Sequence, residues 1–193
     1  MKTTHRRVLP LSAILLTLAA SGLLWAAQAP LSLEMLCGKA ERIVVGEVVA
    51  SVATNDEWPG IGTITFTDVT IRIADRWKGP ADGETLTVRV PGGTDPETGM
   101  TLTVSETPTF RQGEKVLVFA KEMHGRPWVY GWSQGKYEVV VERVVGRAGN
   151  PIAEDILLPP LRKRVEAILR AQAAATPPAE PHEKGAAAPG GGR

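Results

Sequence analysis

TITFTDVTIRIADR, residues 63–76, reads as one long strand whose apolar side chains change parity along its length. Ile64 and Phe66 stand at even positions, whereas Val69, Ile71 and Ile73 stand at odd ones. Successive side chains of a strand point to opposite faces, so the buried face has to switch part-way along. A bulge or a coil does this in a strand that serves two sides of a small barrel. A mainly β domain with a strongly bent sheet is therefore expected, bounded here by the turn Trp77-Lys78-Gly79-Pro80.

The flanking segments agree. Upstream, RIVVGEVVASV (42–52) is β-branched and apolar on both parities, as in a central or bent strand, with Gly46 where a side chain would obstruct the bend. Asn55 to Gly62 is expected to form the turn between the two strands. Downstream, Glu84 to Val90 alternates, with Leu86, Val88 and Val90 inward and Thr85, Thr87 and Arg89 outward. PGGTDPETGM (91–100) is a loop, Leu102 to Val104 a short strand and Val116 to Ala120 an apolar one. Trp128 to Trp132 and Lys136 to Glu142 are expected to form a last pair joined by Ser133-Gln134-Gly135. Ser32 can cap a short helix that puts Leu33, Leu36 and Cys37 on one face. After Pro159-Pro160, residues Leu161, Val165, Ile168 and Leu169 recur at helical spacing, opposite a charged face.

The ends differ in composition from this middle. Lys2, Arg6 and Arg7 precede an apolar run from Val8 to Leu24, and small residues follow around Ala27 to Ala29, the pattern of an export signal. An uncleaved anchor is the alternative, since Val8 to Ala29 approaches the roughly 20 residues that span a bilayer. The expected organisation is a signal peptide or N-terminal anchor over 1–29, a β-barrel domain over 30–150, a C-terminal amphipathic helix over 151–172 and a disordered Ala/Pro/Gly tail over 173–193. Location is accordingly periplasmic or extracellular, with membrane contact only through an uncleaved N-terminal segment. The charge balance, 22 basic against 21 acidic residues, offers nothing to nucleic acid. Cys37 is the single cysteine, so no internal disulfide holds the fold; it reads as a buried small hydrophobe.

Candidate chemistry is sparse. GWSQG (131–135) matches the G-x-S-x-G pattern of a hydrolase nucleophile turn, which would make Ser133 catalytic. Such a turn needs a helix after it and a histidine later in the chain. KYEVVVE (136–142) alternates as a strand, and His182 in the tail is the one later histidine, so Ser133 is read as a turn residue, with Gly135 at positive φ. His124 and Cys37 lack local partners for a zinc site, and Asp95 and Glu97 lack the oxygen spacing of a calcium loop. No catalytic residue, metal or cofactor is expected. Trp128, Tyr130 and Trp132 share one parity, and an aromatic ladder on one face is either core or an anchor for a protein partner.

The stretches IVVGEVVASV, VTIRIADRWKG, TLTVRVPGG, FRQGEKVLVFAKE and GKYEVVVE together resemble a widespread group of exported bacterial proteins. Their order is similar to the netrin-like module of the tissue inhibitors of metalloproteinases. The resemblance covers about residues 32 to 145 and implies an OB-like barrel of five or six strands with a helix at each end. Those inhibitors chelate the protease zinc through an N-terminal cysteine, whereas Cys37 lies inside the chain, so no inhibitory residue carries over. The expected role is non-catalytic binding of an unidentified envelope or extracellular protein; the alternatives are a partner or inhibitor of a secreted metalloprotease and a serine hydrolase using Ser133.

Overall fold

Two 17-residue strands carry the architecture: β1 (Arg42–Trp58) and β2 (Gly62–Lys78) pair antiparallel from Ile43 opposite Lys78 to Trp58 opposite Gly62. The computed structural model describes residues 30–146, 150–152 and 156–175. The export segment expected over 1–29, and the tail beyond residue 175, lie outside the described residues. β3 (Thr85–Pro91) lines the other edge of β2, and β4 (Gly93–Thr94) and β5 (Thr101–Leu102) form a small separate ribbon. β6 (Lys115–Met123) and β7 (Arg126–Val129) make a hairpin, followed by a 3-10 turn over Trp132–Gly135. β8 (Lys136–Val140), β9 (Arg143–Val145) and β10 (Ile156–Leu157) complete a mainly β chain with a large sheet. Helix α1 (Leu33–Lys39) precedes the strands and α2 (Leu158–Ala175) follows them.

The pairings run β1-β2-β3-β7-β6, and β6 pairs back onto β1, with Arg42 opposite Ala120 and Glu47 opposite Lys115. All are antiparallel except β3 with β7, which is parallel through Arg89 and Trp128. The hairpin expected between Trp128–Trp132 and Lys136–Glu142 does not form. Instead β7 and β8 lie one after the other along the same edge of β6, β7 against Ala120 to Met123 and β8 against Val116 to Val118.

The parity change in β2 is real, but its cause is not a bulge in β2. Between Phe66 and Val69 its register is unbroken with β3; the shifts in its pairing with β1 lie further along, leaving Ala74 and Trp77 of β2 and Val49 of β1 without a partner in that ladder. From Phe66 to Ile71 the strand keeps its pleat and buries first one face and then the other. Val69 and Ile71 enter an interior core with Val44, Val48, Val88, Val116, Val118 and Val129, drawn from all five strands of the ring. Phe66, on the opposite face, enters an aromatic cluster near the β1–β2 turn. Gly46 allows the bend, since a Cβ there would lie 2.3 Å from the Arg72 carbonyl oxygen.

A second core lies outside the ring, between β1, β6, β8 and the helices. Ser32 caps α1 by accepting from the Met35 N–H at 3.1 Å, and Leu33, Leu36 and Cys37 are buried with Ile43, Phe119 and Tyr137. Leu161 and Val165 of α2 are buried in the same cluster, and Ile168 and Leu169 pack against it. Each fully buried aliphatic side chain contributes about 1.5–3 kcal/mol, so α2 is held by its apolar stripe. The helix runs to Ala175, three residues past its expected end. Among the described residues no helix is long and apolar enough to cross a membrane.

Candidate functional site

The tips of two hairpins meet on the outer face of β2 and β3, and the residues there are the least ordinary in the chain. Arg89, at the middle of β3, points outward as its parity demands, yet it is only 5 % exposed. A buried guanidinium needs every donor matched, because an unpaired buried charge is costly. The sheet supplies the partners. Asp68, directly opposite on β2, accepts from Arg89 Nε at 2.7 Å and Nη2 at 2.7 Å, a bidentate pair. Asp56, on β1 near the turn, accepts from Nη1 at 2.5 Å. The Arg89 hydrogen bonds, chiefly those with Asp68, raise the guanidinium pKa further above its ordinary range, and the bond from Arg89 holds the Asp56 carboxyl below the usual carboxylate range.

Aromatic rings close over this clamp. The Arg89 guanidinium sits 5.0 Å from the Phe66 ring centre. Trp58 stacks on Phe66 at 5.6 Å, and Trp128 meets both rings edge-on at 5.7 Å. The Trp128 indole N–H donates to the Met123 carbonyl at 2.9 Å, which ties the β6–β7 turn to β7. Arg126, half-exposed, lies 3.7 Å from both Asp56 and Asp68. A small hollow of about 140 Å³ remains between Trp58, Pro59, His124 and Arg126. The two arginines are balanced by Asp56 and Asp68, so the corner is not an anion trap. It offers an immobilised aromatic surface flanked by an exposed Ile61 (69 %) on one tip and Met123 and Arg126 on the other.

Trp128 thus belongs to the corner as a buried member. Tyr130 packs instead against the second core, and Trp132 is half-buried in the 3-10 turn. The expected ladder breaks because β7 ends at Val129, and Gly131 (φ 74) and Trp132 (φ 55) leave the extended conformation on which parity depends. Phe66, Arg89, Asp56 and Asp68 were not assigned to a site by sequence. The available signal was Asp68 and Arg89 at mid-strand positions of neighbouring strands, which only the register makes a pair.

Ser133 is 8 % exposed; its hydroxyl donates to the Glu106 carboxylate at 3.2 Å and its N–H to the Glu106 carbonyl at 3.0 Å. Strand β8 follows directly, as expected. His124, the one histidine among the described residues, lines the hollow at the β6–β7 turn. Gly135 is not at positive φ; it is required because a Cβ would lie 1.9 Å from the Tyr130 carbonyl oxygen, and the left-handed residues are Gly131 and Trp132. Cys37 is buried, and burial pushes its thiol up to about 11. Among the described residues no cluster of three or more histidine, cysteine, aspartate or glutamate side chains is arranged to hold a metal ion. No protein-family model matches the chain, and a search of curated proteins finds none that matches it.

Proposed function

We propose that the chain is an exported, non-catalytic binding module on an OB-like five-stranded barrel, which engages a protein partner through its paired hairpin tips. The ring of pairings β1-β2-β3-β7-β6-β1 supports the barrel, since closure is what removes the free edges of such a sheet. Export rests on the basic start and apolar run of residues 2–29. The non-catalytic reading is supported by the bond from Ser133 to Glu106 and the strand that follows it.

The observation that carries the binding role is the partly buried Trp58, seated on Phe66 and Trp128 above the Arg89 clamp, with the exposed Ile61, Met123 and Arg126 on the two hairpin tips. Tryptophan, arginine and methionine are enriched at protein interfaces, and a ring already fixed by its neighbours loses little entropy on binding. The face of strands two and three between two hairpin loops is also where OB barrels take ligands. The test is cross-linking of the mature chain in its own envelope fraction, comparing the parent with Ile61→Asp/Arg126→Glu and with Met100→Asp as an exposed control elsewhere. One partner retained by parent and control but lost by the double variant, with melting temperatures unchanged, supports the assignment. A partner profile unaltered by the double variant refutes it.

A further inference from the structure

Closure of the ring uses only the first half of β1. Arg42 to Glu47 pair with β6, and the Val48 N–H donates to the Glu114 carbonyl at 2.9 Å. The Gln112-Gly113 turn ends the contact: the Gly113 N–H donates to the Val48 carbonyl at 2.8 Å and the Gln112 side-chain amide to the Val49 carbonyl at 3.4 Å. From Ala50 to Trp58 the strand runs on beyond the ring with β2 along one side, and among the described residues no strand lies along the other.

Which backbone groups face that open side follows from the ladders. The Thr65 carbonyl accepts from the Gly92 N–H and the Ile73 N–H donates to the Glu84 carbonyl, so from Thr65 to Ile73 the odd residues of β2 turn their backbone groups toward β3 and the even ones toward β1. Phe66, Asp68 and Thr70 stand opposite Thr54, Val52 and Ala50, which therefore bond β2. Ser51, Ala53, Asn55 and Glu57 alternate with these and hold their N–H and C=O groups outward. The Glu57 N–H is met by Asp56 Oδ1 at 2.9 Å; the outward groups of Ser51, Ala53 and Asn55 have no partner among the described residues. A long open edge is a template for another strand, and proteins that keep such edges single blunt them with lysine, proline or a covering segment. Neither lysine nor proline stands between Ala50 and Trp58. Val52, near the middle, is 56 % exposed, and the acidic residues Asp56 and Glu57 are gathered at the tip end.

We propose that this edge pairs with the same edge of a second copy of the chain, antiparallel about a twofold axis at Thr54. That register sets Ser51 opposite Glu57 and Ala53 opposite Asn55 of the copy, so each outward-facing residue meets another, and the symmetry repeats every pair. Sliding the copy by two residues either way leaves an outward residue unmatched. Charge agrees with the arrangement: the acidic end of each copy lies against the neutral end of the other, Asp56 across from Val52 and Glu57 across from Ser51, so no like charges face each other. Thr54 faces its own counterpart, a favourable cross-strand pair. The edge includes none of Ile61, Met123 and Arg126, so this pairing and the binding role of the hairpin tips stand or fall separately.

The purified chain is followed by sedimentation velocity from about 1 to about 200 µM, a range over which mass action drives monomer to dimer. A reversible shift from monomer to dimer is expected, with hydrogen exchange slowing at the Ser51, Ala53 and Asn55 amides as the concentration rises; the Val52 and Thr54 amides, bonded to β2, should be protected throughout. Ser51→Glu, at an exposed position, sets like charges opposite each other twice and should weaken the dimer about fivefold or more. Adding Glu57→Lys to the same chain should restore it, because residue 51 faces residue 57 only in this register. Val52→Asp, which faces Asp56, replaces Ser51→Glu where the latter lowers the melting temperature. A monomer at every concentration, a dimer whose three edge amides still exchange freely, or a dimer indifferent to these charges with an unchanged melt would overturn the assignment. Edge amides protected only after an envelope extract is added would overturn it too, giving the edge to another protein's strand.

Discussion

Replacing Gly135 with alanine puts a methyl group where the chain has no room. The new Cβ would lie 1.9 Å from the Tyr130 carbonyl oxygen and 3.2 Å from Val129 Cγ1, and real Cβ contacts essentially never fall below 3.0 Å. The turn must therefore open by about 1.1 Å, against backbone and not against a side chain that could rotate away. That movement strains the bonds from Tyr130 N–H to the Phe119 carbonyl, 2.8 Å, and from Gln134 N–H to the Gly131 carbonyl, 3.0 Å. Overpacking costs about 1–3 kcal/mol, and a backbone obstacle puts this site at the upper end, about 3 kcal/mol. In a chain of this size the melting temperature should fall by roughly 6–12 °C. Gly125→Ala is the comparison: its φ is 73 and no atom lies within 4 Å of the added Cβ, so strain alone acts, about 1 kcal/mol. Ser133→Ala removes one hydrogen bond to an exposed glutamate and should cost about 0.5–1.5 kcal/mol. Thermal melts of the three variants and the parent, with fluorophosphonate labelling of each, provide the assay. If Gly135→Ala melts no lower than Gly125→Ala, the close-approach reasoning is wrong. Specific labelling at Ser133, abolished by Ser133→Ala, would refute the non-catalytic reading.

Val141 (φ 48) and Glu142 (φ 61) occupy the two-residue turn between β8 and β9, where a β-branched side chain is strained; Val141 is also 89 % exposed. Val141→Asn should therefore raise the urea midpoint, by about 0.5–1 kcal/mol in stability, and a lowered midpoint would contradict the turn geometry. Burial pushes the Cys37 thiol up to about 11, so alkylation of the native chain should be slow at pH 8 and still accelerating at pH 10, and fast once denatured; rapid native labelling would count against its burial. Hydrogen bonds from Thr98, the Glu97 N–H and Asn55 hold the Asp95 carboxyl down to about 2, below its ordinary 3.8. A depressed carboxyl stabilises the fold above the unfolded pKa and stops doing so as pH falls through the folded one. The gap in melting temperature between the parent and Asp95→Asn should then be full at pH 6 and vanish towards pH 2, and a gap independent of pH would refute that role.

The sequence determined what depends on neighbours a few residues away. Ser32 caps α1 through the amide of Met35, and Leu33, Leu36 and Cys37 share its buried face because a helix repeats every 3.6 residues. The stripe of Leu161 and Val165, the alternation of β3 and β8, and the strand after GWSQG are legible on the same ground. Tertiary structure decided the rest. Arg89 looked like an outward, solvated strand residue; it is buried because Asp56, 33 positions earlier, and the rings of Trp58 and Phe66 fold across it. Trp128, Tyr130 and Trp132 looked like one face until two left-handed residues turned the chain after Val129. The parity change of residues 63–76 announced a strand with two buried faces, but which partners lie on each face follows from register, with Arg42 of β1 opposite Ala120 of β6. Periodicity records whether a residue is covered; what covers it is set by pairings between distant segments, which local patterns do not encode.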